Sequence, residues 1–189
     1  MLYPRRTAPP IDLTEPEITA IGKLLLCAWS AEFALRSNQV VADAEFCINS
    51  LEWTFPQAYY AAFFSARAVL ASDGINIANQ KGVNLLMNQR AGAGFYGSSF
   101  YGSSLTTESN PYSALMVYQL GTNIPPAPVS SLEAVALNHK LIDSVHAIAI
   151  IHETYILARI GEIAYQRLIA GVPEYLVNKF VGARVSLIT

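Results

Sequence analysis

Residues 58–72 read AYYAAFFSARAVLAS, and this stretch decides the fold. No glycine or proline interrupts it, and apolar or alanine side chains occupy nearly its whole circumference. A helix of that kind belongs in the middle of a core. Phe55-Pro56 predicts its start, with Pro56 in the first turn, where a missing N–H costs nothing. Asp73-Gly74 predicts its end, Gly74 supplying a left-handed cap.

Upstream, Thr14-Glu15-Pro16-Glu17 forms a capping box in which the Thr14 hydroxyl accepts from the Glu17 N–H. From there to about Trp53 only Gly22 interrupts, and Ile21, Leu24, Leu25, Ala28, Ala31 and Leu35 recur near helical spacing. That predicts one long helix, continuous or bent near Ser37-Asn38. Downstream, a shorter helix is expected over 78–89. Residues 91–130 are rich in glycine, serine and proline, carry only Glu108 as a charge, and repeat Phe95-Tyr-Gly-Ser-Ser99 as Phe100-Tyr-Gly-Ser-Ser104. Long segments of this kind in compact domains are usually functional or disordered. Ser130-Ser131-Leu132-Glu133 is a second capping box and opens a helix reaching about Ala170, stopped by Gly171 and Pro173. A last short helix is expected over 174–181. The expected fold is all-α: a four-to-five-helix bundle with a Gly/Ser/Tyr-rich insertion (91–130) before its last long helix. The arm 1–13 and the tail 183–189 flank a single domain, 14–182.

Of the 189 residues, 52% are hydrophobic and only 14% charged, which excludes a disordered chain. A net charge of −2 excludes a broadly basic nucleic-acid binder. Cys27 and Cys47 are too few for a disulfide framework, and point to a reducing compartment, the cytoplasm. The N-terminus lacks the apolar core of a secretory signal. Leu132–Ile151 is interrupted by Glu133, His139, Lys140, Asp143 and His146, so no membrane-spanning segment is expected.

Three groups of residues invite a functional reading. His139, Asp143 and His146, at i, i+4 and i+7, share one helix face and offer imidazole and carboxylate ligands for a metal ion. The competing reading is an inert polar stripe. His152, Arg159 and Gln166 form a second line, readable as a basic pocket for a phosphate or nucleotide, or as structural ion pairing with Glu32, Asp43 or Glu45. Phe95, Tyr96, Phe100 and Tyr101 have almost no basic neighbours for phosphate, and so suit a protein contact surface better than base stacking. No Gly-x-Ser-x-Gly elbow or dinucleotide loop appears, so no catalytic residue and no cofactor are expected.

The run Ala58-Tyr-Tyr-Ala-Ala-Phe-Phe-Ser-Ala-Arg-Ala-Val-Leu70, followed by Gly74 and Lys81-Gly-Val-Asn-Leu-Leu86, resembles the core of HEPN proteins (higher eukaryote and prokaryote nucleotide-binding). The likeness spans residues 30–90, with Arg159 to Tyr165 a loose match to that family's final helix. Ribonuclease members carry an arginine closely followed by a histidine. Here the histidines lie at 139, 146 and 152, and no arginine falls between Arg90 and Arg159, so the catalytic roles do not transfer. The resemblance implies a non-catalytic bundle with a binding or accessory role in a prokaryotic nucleic-acid or defence system. The alternative is a self-assembling structural subunit, such as a viral coat or filament. Either way a homo-oligomer is expected, with nucleic acid unsupported by charge.

Overall fold

The structure is a computed structural model that describes residues 11–37, 43–93, 95–96, 131–173 and 176, apart from the side chains of 44, 92, 131–138 and 140. The described residues contain helices and no strand, as the all-α expectation required. In chain order the helices are α1 (Glu15–Ser37), α2 (Ala44–Ser72), α3 (Gln80–Gly92), α4 (Ser131–Ile160) and α5 (Glu162–Ala170). Residues 97–130, with Phe100 and Tyr101, and most of the expected last helix lie outside the described residues.

At the start of α1 the capping box forms in part. The Thr14 N–H donates to Glu17 Oε2 at 2.8 Å, but its hydroxyl donates to the same oxygen at 2.7 Å instead of accepting from the backbone. Ile21, Leu25, Ala28, Trp29, Glu32 and Leu35 make the buried stripe of α1.

The second helix begins a full three turns earlier than Phe55-Pro56 predicts. Asp43 caps it, accepting from the Phe46 N–H at 2.7 Å, and Pro56 lies inside the helix. Pro56 and Glu52, one turn apart, are both exposed, so the carbonyl that loses its partner lies on the solvent side of the helix. Proline is a weaker stop signal on that side than sequence rules assume. The other end follows expectation: Gly74 has φ 75°, its N–H reaches Ala71 O at 2.9 Å, and the Ile75 N–H reaches Leu70 O at 2.9 Å. This double bond pattern is a Schellman cap.

The expected helix to Ala170 divides at Gly161, whose φ of 82° suits glycine alone. The change of direction lays α5 on α1, where a Cβ on Gly22 would stand 3.1 Å from Leu168 Cγ.

α2 is the centre of the bundle, packed extensively against α1 and α4. Its inner face is made of small residues, since Ala58, Ala61, Ala62, Ser65, Ala66 and Ala68 are all buried, with Val69 and Leu70 below them. Its aromatics point elsewhere. Tyr59, Phe63 and Phe64 are half-buried and Tyr60 is exposed, in two stacked pairs at 5.5 and 6.0 Å. The apolar circumference read from the sequence is thus two different faces, one small and dry, one aromatic and partly wet.

Glu15–Ser37 and Leu141–Ile160 are long and apolar enough to cross a membrane by length and composition, which corrects the reading that no segment qualifies. In the bundle both turn a face to the core and bury charged residues there: Glu32 in α1, and Glu153 and Arg159 in α4.

Close packing on the small face has a direct consequence. Ala66→Leu adds three carbons where no space exists, and overpacking of this kind typically costs about 1–3 kcal/mol. Leu70→Ala, at the fully buried lower end, should cost about 2–5 kcal/mol. Urea unfolding followed by circular dichroism measures both, and an unshifted midpoint for Ala66→Leu would contradict the packing.

Candidate functional site, a buried histidine beside a shared carboxylate

His152 on α4 faces the small side of α2 and is fully buried. Its Nδ1 lies 2.7 Å from Ser65 Oγ on α2, and its Nε2 lies 2.8 Å from the Tyr96 hydroxyl. Tyr96 arrives from the turn that ends α3, where the Ala93 N–H bonds to Gln89 O and the Phe95 N–H to Arg90 O. A neutral imidazole presents one donor and one acceptor, and a hydroxyl can answer either. Burial, with the nearby positive charge of Arg90 adding to it, pushes the His152 pKa down to about 3. The ring is neutral at physiological pH.

One turn of structure away, Asp73 at the end of α2 gathers three partners. Arg90 of α3 pairs with Oδ2 at 2.5 Å, and Arg159 Nε of α4 stands 2.6 Å from Oδ1. The Tyr155 hydroxyl donates to both oxygens at 2.9 and 3.0 Å. Burial, followed by its bond to Asp73, raises the Tyr155 pKa, so the phenol remains a donor. Phe95 joins the two sites. Its ring is 5.0 Å from Tyr96 and from Tyr155, and the Arg90 guanidinium lies 5.9 Å over it.

A second cluster, buried at Trp29, Glu32 and Glu153 and half-exposed at Arg36 and His146, ties α1 to α4. The Trp29 indole N–H donates to Glu153 Oε1 at 2.7 Å. Buried Glu32 accepts from Arg36 at 2.9 Å, and Arg36 Nη2 stands 2.6 Å from His146 Nδ1.

These placements revise the sequence reading of each group. His139 and Asp143 are exposed, whereas His146 turns to Arg36 and Glu32. Among the described residues no three His, Cys, Asp or Glu side chains group to hold a metal ion. His152, Arg159 and Gln166 are not one pocket. His152 meets hydroxyls, Arg159 meets Asp73, and exposed Gln166 bonds Glu162 on α5 at 3.1 Å. The proposed acidic partners are also different, since Asp43 caps α2 and Glu45 is exposed. Tyr96 is buried and Phe95 half-buried, both turned into the bundle and not outward as contact residues. Ser65, Asp73, Arg90 and Tyr155 went unread. The available signal was the rule that a buried Arg needs a carboxylate, applied to the helix end at Asp73.

Ser65 Oγ and His152 have the spacing of a nucleophile and its base. The third group is a tyrosine hydroxyl and not a carboxylate, all three residues are buried, and the imidazole pKa lies far from neutrality. A general base works best with a pKa near the working pH. This arrangement is built to hold its atoms in place.

Comparison with known protein families, curated proteins and solved structures finds no match to this chain. The class defined here is therefore that of the fold itself, an all-α bundle with an internally paired polar core.

Two outcomes follow for stability. Asp73→Asn leaves buried Arg159 and half-buried Arg90 without their carboxylate, a loss of typically about 3–5 kcal/mol, measurable by chemical denaturation. His152 adds stability that is complete above its unfolded pKa, about 6.5, and is lost as pH falls toward about 3. The slope between those limits approaches about 1.4 kcal/mol per pH unit. His152→Gln, weaker than the parent at pH near 7.5, should lose less on acidification to about pH 4.5. Equal acid sensitivity in both proteins would show that His152 takes up a proton as readily in the fold as in the unfolded chain.

Proposed function

We propose that this protein works by binding and not by catalysis, as a HEPN-like bundle without nuclease chemistry, with an accessory role in a prokaryotic nucleic-acid or defence system of the cytoplasm. The observation that carries the reading is a division of labour between the two sides of α2. Behind its small face the buried His152 imidazole is bonded to the hydroxyls of Ser65 and Tyr96, and buried Arg159 is paired with Asp73. On the opposite side Trp53 and Tyr60 are offered to solvent. Aromatic residues are enriched at protein interfaces, where their large area is gained with little loss of side-chain freedom.

The side-by-side packing of α1, the Ala-Tyr-Tyr-Ala helix and α4 supports the HEPN-like reading of the bundle. Cys27 and Cys47 are not joined in a disulfide, which accords with a reducing compartment. The same aromatic face favours, as a second reading, a structural subunit that assembles with copies of itself.

Purified protein incubated with end-labelled RNA should leave it intact over hours. Cleavage that disappears in a His152→Ala protein of unchanged helix content would overturn the non-catalytic reading.

A further inference from the structure

The tandem repeat Phe95-Tyr-Gly-Ser-Ser99, Phe100-Tyr-Gly-Ser-Ser104 has no role in the account so far, and Phe-Tyr occurs nowhere else in the sequence. The first pair acts as a ligand of the bundle. Tyr96 is only 1% exposed, although it belongs to a turn and not to a helix. Its hydroxyl meets His152 Nε2, and its ring centre lies 5.6 Å from that of the imidazole. Phe95 lies 6.1 Å from the same imidazole and 5.0 Å from Tyr155, with the Arg90 guanidinium over its ring. The groups that receive the pair, His152, Tyr155 and Arg90, all lie outside the repeat. They form a seat for a phenylalanine followed by a tyrosine.

We propose that this seat has two interchangeable ligands in one chain: Phe95-Tyr96 occupies it, and Phe100-Tyr101 takes it when the first pair leaves. The two units are identical over five residues, so His152, Tyr155 and Arg90 meet the same side chains in either case. Only the tether differs. Two residues, Ala93 and Gly94, join α3 to the first pair, and seven, 93–99, join it to the second. The closing penalty grows roughly as the 3/2 power of tether length, which favours the first pair about sevenfold. The bond from the Phe95 N–H to Arg90 O at 2.9 Å adds to that preference. Gly94, Gly97, Ser98 and Ser99 give the longer tether the backbone freedom to fold back.

The exchange is a switch of register in which the core stays closed in both states. The second register is a minority of roughly one molecule in ten or fewer. In it His152 keeps a phenol on Nε2, which matters because a buried polar atom left unanswered is costly. Five more residues are let out beyond α3, and Phe95 and Tyr96 are among them. That pair is then available to a partner, since aromatic side chains of this kind are favoured at interfaces. A single copy of the motif could not do this. Drawing it out would strip His152 of its hydroxyl and leave a cavity in the core. The switch goes beyond the binding reading above and does not depend on it.

Thermal unfolding of the full chain, followed by circular dichroism, tests the exchange as a double-substitution cycle. Loss of a buried ring with no replacement lowers the midpoint by roughly 6–20 °C in a domain of this size. Tyr96→Ala alone should lower it by no more than about 5 °C, the cost of the longer tether, because Tyr101 takes the seat. Tyr101→Ala alone should leave the midpoint unchanged. The two together should lower it by roughly 6–20 °C, more than the sum of the single effects. Should the double variant fail to fold, tyrosine nitration by tetranitromethane, read by mass spectrometry, decides the matter in the single one. Tyr101 should react at least about tenfold more slowly in Tyr96→Ala than in the parent, as its share of the seat passes from minority to majority. A Tyr96→Ala protein that loses as much as the double variant overturns the proposal. So does a Tyr101 whose nitration does not slow. RNA cleavage bears on neither readout.

Discussion

The small inner face of α2 is the constraint from which the rest of the bundle follows. Alanines at 58, 61, 62, 66 and 68 and a serine at 65 let α1 and α4 come close on either side. Close approach removes water from between the helices, so any polar group on the facing side of α4 must find a protein partner. Ser65 is that partner for His152, and it is there because only a small hydroxyl fits among the alanines. Asp73, at the end of the same helix, is the partner for Arg159 and Arg90.

Two polar clusters divide the cross-links between helices. Trp29 with Glu153, and Glu32 and Arg36 with His146, join α1 to α4 and set their antiparallel register. Asp73 and His152 join α2, α3 and α4, with Phe95 and Tyr96 brought in by the turn after α3. Ionic groups in a dry site add less net stability than their number implies, because desolvation offsets attraction. They act instead as a specification. A bundle with the helices shifted by one turn would leave Arg159 or Glu153 buried without a mate.

The sequence made the architecture legible and the chemistry only partly so. Helical spacing, the Thr14 and Gly74 signals and the alanine-rich second helix were sufficient for an all-α bundle. Pro56 misled because sequence rules treat proline as a stop without knowing which side of the helix it occupies. Gly161 was passed over because a lone glycine near a helix end reads as tolerated until its φ is seen. His139, Asp143 and His146 share a face in sequence, but a shared face does not make side chains converge, and α1 draws His146 away from the other two. His152 and Arg159 were identified as buried groups in need of partners. The partners came from helices distant in the chain, which spacing within one helix does not encode.

The central claim is the rotational setting of the helices, with the small side of α2 inward and its aromatic side outward. The chain holds two tryptophans, one on each side of that division. Trp29 is buried and bonded to Glu153, whereas Trp53 is exposed on α2. Acrylamide quenching of fluorescence, comparing the intact protein with a Trp53→Phe protein, tests this setting directly. The account predicts that Trp29 alone is shielded at every protein concentration, and that the Trp53 emission is quenched freely in dilute solution. A Trp53 shielded at nanomolar concentration, or a Trp29 open to quencher in the folded protein, would contradict it.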